Sequence, residues 1–443
     1  MAPKRPSHPR AFFHALLFHG TPGPFPRAAG LIVSLLALTC APLPLYAQEE
    51  SSGKTFGAVS SSTGSGEAGP AGLDLGAGIF APSPLRLSVS VQEGYDDNVY
   101  TTHQNPIGSF FTGGSVALDY KFGSARTNLD LQVFGGATYY YFRPLGQTYD
   151  INNGLTLNMS HQATPRLGFA ASVDLAYQSE PNFDTGVGTN RRSGNYFYTA
   201  DKFSTSFQWL PRFSTVTSYS LSVINYENSA IGAFEDRFEH TFGNEFRYLA
   251  LPTTTLVGEY RYEIIDFDTA PRDSTTHFVL AGVDHSFSPH FIVSQRFGVE
   301  FRAFDNFGTE TSPYGEATLK YSLGERTSVS WNGHYGLDEP DVPGSASRTT
   351  FRTGLNVAYA ISPRVSATMA VFYEHDQNKS VTTPPFVAPA FNEDLIDLSL
   401  GLRYEINRTF TLLANYDRTE DLSDLSFREY SRNRYYVGLS VGF

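Results

Sequence analysis

The sequence predicts an all-β fold: a transmembrane antiparallel up-and-down β-barrel of about eighteen strands, or sixteen if one pair is divided differently. Three observations predict it. Apolar and polar residues alternate in short runs from Leu85 onward, the connections between runs alternate between long and short, and the last run ends on an aromatic residue. Composition agrees. Aromatics make up 14% of the chain, with 36 Phe, 26 Tyr and 39 Gly, a mix that suits strands and turns better than helices. The mean hydropathy of −0.24 excludes a bundle of transmembrane helices. It does not exclude a barrel, because only alternate residues of each strand face lipid.

In chain order, residues 1–47 read as a cleaved secretory signal peptide. They carry Lys4, Arg5, Arg10 and Arg27 and no acid, and an apolar core within 28–47 ends at Leu45-Tyr46-Ala47 before Gln48-Glu49-Glu50. That core is too short to span a bilayer as a helix. The only cysteine, Cys40, lies inside it, and the preceding Ala37-Leu38-Thr39 lacks the small residue usual before a lipidated cysteine. The mature chain therefore holds no disulfide and no thiolate ligand or nucleophile. Residues 48–80, rich in Ser, Gly, Ala and Thr, read as a flexible periplasmic linker.

Residues 81–443 read as the barrel. Leu85, Leu87, Val89 and Val91 alternate with polar residues, and the same period of two returns at Val116-Leu118-Tyr120-Phe122, Leu256-Gly258-Tyr260-Tyr262-Ile264 and Ile396-Leu398-Leu400-Leu402-Tyr404. Successive strand side chains face opposite sides, so each run has one apolar and one polar face. The predicted strands are 85–95, 110–122, 127–142, 150–162, 167–179, 196–209, 214–227, 236–249, 254–266, 274–287, 291–305, 313–323, 327–337, 349–360, 365–376, 392–405, 409–419 and 433–443.

Connection lengths separate a barrel from a soluble sandwich. Turns such as Ala163-Thr164-Pro165-Arg166, Leu210-Pro211-Arg212 and Ser362-Pro363-Arg364 are short, whereas 96–109, 180–195, 338–348, 377–391 and 420–432 are long. A sandwich has no reason to place every long loop at one end. A transmembrane barrel does, with short periplasmic turns and long extracellular loops. An even strand count returns both termini to the periplasmic side.

Clustered aromatics at strand ends suit interfacial girdles: Tyr139, Tyr141, Phe197, Trp209, Phe246, Tyr248, Tyr373 and Tyr435. The polar face is dense in charge along the middle strands. Arg237, Glu239, Glu245 and Arg247 lie on one strand, Glu259, Arg261 and Glu263 on the next, and Arg296, Glu300 and Arg302 two strands later. Charges of both signs on one face point into a water-filled lumen. They form either a constriction that selects solutes or a salt-bridged lining that closes the interior.

Other chemistry is absent from the sequence. Removing residues 1–47 leaves 28 basic and 44 acidic residues, a net charge of −16 that repels nucleic acid. The acidic runs Asp96-Asp97, Asp338-Glu339-Asp341 and Glu420-Asp421-Asp424 lack the spacing of a calcium loop and read as solvated loop charge. No metal or cofactor is expected. Zinc-protease, serine-hydrolase and phosphate-loop motifs are missing. Glu374-His375-Asp376 cannot converge on one substrate, because strand neighbours point to opposite faces.

The last strand places Tyr435, Val437, Leu439, Val441 and Phe443 on one face. This resembles the C-terminal signal of bacterial outer-membrane proteins, which the barrel assembly machinery reads. With Gly94-Tyr95-Asp96-Asp97-Asn98-Val99-Tyr100 after the first strand, residues 81–443 resemble the porin-like outer-membrane β-barrels of Gram-negative bacteria. The opening motif is similar to that of a β-barrel porin family often associated with surface polysaccharide export. The resemblance implies an outer-membrane location amid lipid and lipopolysaccharide. It implies passive diffusion of small hydrophilic solutes, or an export conduit for a polysaccharide. The rival reading is a non-conducting barrel whose long loops bind at the surface. A porin would fold a loop into its lumen, and 180–195 and 377–391 are the candidates.

Overall fold

Eighteen antiparallel strands close on themselves in the computed structural model, which describes residues 84–443 except 184–186, 193, 307, 343–344, 346 and 381–388. The expected signal peptide, Cys40 and the linker lie outside the described residues, as does most of the candidate loop 377–391.

The strands are β1 (Leu85–Asp96), β2 (Ser109–Gly123), β3 (Thr127–Tyr140), β4 (Tyr149–Thr164), β5 (Leu167–Gln178) and β6 (Tyr196–Leu210). They continue as β7 (Phe213–Tyr226), β8 (Arg237–Leu251), β9 (Thr254–Phe267), β10 (Ser274–Ser288), β11 (Phe291–Phe304) and β12 (Gly308–Leu323). The last six are β13 (Thr327–Asp338), β14 (Arg348–Ser362), β15 (Val365–Asn378), β16 (Phe391–Glu405), β17 (Phe410–Ser423) and β18 (Tyr430–Gly442). Each pairs with its sequence neighbours, and β1 pairs with β18 from Ser88↔Gly442 to Asp96↔Arg434. Closure removes every free sheet edge, the condition for crossing a bilayer with strands.

The period of two decides which face meets lipid. On β8, Phe238, Phe242, Phe246 and Tyr248 are exposed, and Arg237, Glu239, Glu245 and Arg247 point inward between them. Seven of the eight predicted girdle aromatics are exposed, and Tyr373 is half-buried with its hydroxyl on Asp394. On β18, Tyr435, Val437, Leu439 and Phe443 are exposed while Tyr436 is buried. The Phe443 N–H donates to Leu87 O at 2.8 Å, so the final residue helps close the ring.

The short-turn end repeats one device. Pro165, Pro211, Pro252, Pro289 and Pro363 each open a two-residue turn just after a register shift. Proline has its φ preset for that position and no N–H to waste.

Three expectations change. Connection lengths do not alternate strictly: β11 and β12 are joined through only 305–307, because β12 begins at Gly308 rather than at Pro313. The strand runs through Pro313 because β12–β13 pairing stops at Gly315↔Tyr335, leaving proline where no ladder donor is needed. Strands β17 and β18 continue to Ser423 and from Tyr430, so the supposed loop 420–432 shrinks to 424–429. Beyond the bilayer a strand no longer needs one apolar face, and its polar residues imitate a loop. The connection after β7 also holds a short helix, α1 (Ser229–Glu235), capped by the Asn228 side chain accepting from the Ala230 N–H at 3.1 Å.

Hydrophobic clusters gather at the long-loop end rather than along the barrel axis. One joins Val99, Phe111, Tyr140 and Tyr436, another Val187, Tyr196, Tyr198, Ile224 and Tyr226, and a third Phe183, Phe372 and Leu395. Gly94 lies beside the first: a Cβ there would collide with the Phe111 ring and the Tyr435 carbonyl.

Candidate functional site

All ten charged residues expected in the lumen point inward, and cross-strand register links them into ion pairs. A lower chain runs over β8–β12. Arg247 reaches Glu245 at 2.7 Å and Asp284 at 2.5 Å, and Arg296 reaches Asp284 at 2.8 Å and Glu245 and Glu259 at 3.5 Å. Arg261 continues it, 2.5 Å from both Glu259 and Glu316, with the Tyr314 hydroxyl donating to Glu316 at 2.8 Å.

An upper tier lies nearer the long loops. Arg237 pairs with Glu239 at 2.7 Å and with Glu235 of α1 at 3.3 Å. Arg302 pairs with Glu339 at 2.6 Å and Glu263 at 3.7 Å, and donates to Leu337 O at 2.9 Å. Glu300 accepts the Leu337 N–H at 2.7 Å, past Gly315↔Tyr335, where the β12–β13 ladder has ended. Side chains of β11 thus mend a gap between β12 and β13.

The sequence reading missed the continuation on β13–β15. Arg352 bridges Asp338 and Glu374 at 2.6 and 2.7 Å, and Arg348 meets Asp376 at 2.5 Å. Their signal was the same inward alternation read on β8–β11. Glu374 and Asp376 are buried inward while His375 bonds Asp394 on the outer face, so the three do not converge. Nor are the first two acidic runs solvated, whereas in the third Asp424 stays exposed and Glu420 half-exposed. Asp96 is buried against Arg432 at 2.5 Å, Asp338 meets Arg352, Glu339 meets Arg302, and Asp341 meets Arg428 at 2.8 Å. Buried carboxylates persist only when paired, and inward-turned strand ends supply the arginines.

The connection 179–195, between β5 and β6, folds inward across the mouth. Phe183 stacks on Phe372 of β15, with ring centroids 6.5 Å apart. The Asn190 N–H donates to Asp341 at 3.1 Å, its side chain donates to Glu393 of β16 at 3.2 Å, and its carbonyl accepts from the Tyr430 hydroxyl at 2.8 Å. Arg192 donates to Val99 O at 3.1 Å and pairs with Asp150. Burial pulls the Arg192 guanidinium down to about 9, which leaves it charged at neutral pH. Burial would raise the Asp341 carboxyl, but Arg428 and Arg348 hold it below its ordinary range.

Beneath this connection lies a cavity of about 380 Å³. It is bounded above by Val187 and around its sides by β6–β14, including Ser218, Arg261, Tyr314 and His334. Its size is that of a small-molecule site. No helix among the described residues is long and apolar enough to cross a membrane.

Residues 68–443 match the family described as "Putative beta-barrel porin 2". The chain belongs to that porin family. It is an outer-membrane protein, and its closed barrel is the porin's membrane domain. Similar solved structures include Acinetobacter baumannii OccAB4, at 12% identity and TM-score 0.41, over 82% of this chain and 99% of that one. Pseudomonas aeruginosa OpdK, solved with vanillate, is 11% identical over 81% of this chain and 99% of its own, with TM-score 0.41. The Pseudomonas aeruginosa ferric enterobactin receptor PfeA is 10% identical over 82% and 81%, with TM-score 0.39. No curated protein matches this porin.

Proposed function

We propose that this porin passes small hydrophilic solutes across the outer membrane by diffusion, with its selective zone between the connection 179–195 and the charged wall of β8–β14. The observation that carries the reading is that connection, which crosses a closed, polar-lined barrel and narrows it without filling the cavity below. The ten inward charges act as the constriction lining. Paired charges let polar solutes exchange water for wall contacts while keeping the wall neutral. The reading assigns no catalytic step. It places lipid and lipopolysaccharide around the barrel and makes the strand ending at Phe443 the segment read by the assembly machinery.

A second reading has an observation of its own. The long loops bind one another through buried pairs, such as Arg428 with Asp341 and Glu393, both at 2.8 Å, as a closed surface-binding barrel requires. Single-channel recording of the purified chain in a planar bilayer under a salt gradient separates the two. Stable conductance steps with a reversal potential support diffusion, and silence from a folded barrel supports the closed form.

A further inference from the structure

The charges around the cavity cancel almost completely. Six cationic and six carboxylate side chains line it. Each of its five arginines lies 2.5–2.7 Å from a carboxylate, and each of its six carboxylates lies within 3.7 Å of an arginine. The sixth cation, Lys202, has no carboxylate within ion-pair distance among the described residues. It stands on the inner face of β6, in register with Ser172 on one side and Ser220 on the other. Ser218, Ser222 and Thr241 line the same cavity beside it. One wall therefore offers an uncompensated ammonium among hydroxyls, and the opposite wall offers paired guanidinium and carboxylate groups.

We infer that Lys202 and the serines around it form the anion subsite of this cavity, and that it takes a small hydroxylated carboxylate. The inference rests on the diffusion reading for its role in transport, but not for the existence of the subsite. A solute with one carboxylate finds a single unmatched charge along the whole cavity wall. Its carboxylate accepts from the Lys202 ammonium and the serine hydroxyls. Its own hydroxyls bond to the arginine–carboxylate pairs, whose oxygens keep lone pairs to spare. A dianion meets only one free cation, and a cation meets no free carboxylate. A neutral polyol keeps the hydroxyl contacts and loses the charge-assisted one.

The test uses the full chain purified from outer membranes, with gluconate as the probe and glucitol as its neutral counterpart. Equilibrium dialysis against the detergent-solubilised barrel should show gluconate bound more tightly than glucitol by about ten- to a hundredfold, the range for a hydrogen bond to a charged group. Lys202→Gln should remove that preference and leave glucitol binding as it was, and Lys202→Arg should keep it. Equal binding of the two solutes by the native chain overturns the subsite without recourse to any variant. So does gluconate binding that survives Lys202→Gln. Conductance of the same preparation separates the two ideas. Gluconate bound by a silent barrel keeps the subsite and overturns diffusion. Open channels that interact equally with both solutes keep diffusion and overturn the subsite.

Discussion

The Asn190 side chain donates to Glu393 Oε2 at 3.2 Å, although the two residues are 203 positions apart and Asn190 lies in the connection between β5 and β6 while Glu393 stands on β16. The connection between β5 and β6 is therefore anchored across the lumen. A hydrogen bond to a charged group contributes about 1.5–3 kcal/mol. Asn190→Ala should loosen this anchor and give larger, noisier single-channel steps than the native chain. Steps of unchanged size and noise would show that the connection does not limit the pore.

Arg428 holds Asp341 and Glu393 together, both at 2.8 Å. Replacing it with Met strands two buried carboxylates, and losing one partner of a buried pair costs about 3–5 kcal/mol. Urea unfolding of Arg428→Met should have a clearly lower midpoint. A shift within the error of the native midpoint would mean that water already reaches these carboxylates.

Glu300 is the acceptor for the Leu337 N–H, which lies beyond the end of the β12–β13 ladder at Gly315↔Tyr335. Glu300→Ala orphans that donor at a cost of about 1–3 kcal/mol. Hydrogen exchange should accelerate at Leu337 and hardly at all on β15. Uniform protection along β13 would refute the mended gap.

Burial raises the Glu235 carboxyl from 4.5 to about 7, against the opposing pull of Arg272 and Arg237. The folded state then holds this proton more tightly than the unfolded one. Its contribution to stability is complete below pH 4.5 and disappears as pH rises through about 7. Glu235→Gln should flatten the dependence of the urea midpoint on pH across that window. A native-like slope in the variant would assign the dependence to other groups.

Removing Phe443 deletes the backbone bonds it exchanges with Leu87, at 2.8 and 3.3 Å, together with an exposed aromatic. The membrane fraction should then contain less protein whose migration differs between unheated and boiled samples. Normal yield of that heat-sensitive form would remove Phe443 from the closure and assembly steps.

The strands were legible because lipid imposes a strict rule. Outward positions such as Phe238, Phe242 and Phe246 must be apolar, so the period of two survives in every segment inside the bilayer. It fails where that rule lapses. Glu420 and Asp421 read as loop yet lie in β17 near its long-loop end. Pro313 read as a strand start yet sits mid-strand, at the place where the neighbouring ladder has ended.

The inward direction of Arg237, Glu259 and Arg302 followed from the same alternation, but their partners did not. Periodicity says which face a charge takes and nothing about which strand-distant residue it meets. Arg302 finds Glu339 in a loop, and Asp96 finds Arg432 only because β1 closes on β18.

By itself the sequence determined the all-β class, a barrel of sixteen or eighteen strands, the orientation of their faces and the end that carries the long loops. Those properties are local, set by the two-residue period and by turn chemistry such as Pro165 and Pro211. Tertiary structure decided that 179–195 crosses the mouth, that Asp96, Asp338, Glu339 and Asp341 are paired with arginines, and that Lys202 has no carboxylate within ion-pair distance among the described residues. Each depends on ring closure, which brings residues hundreds of positions apart within hydrogen-bonding distance and withdraws their charges from water.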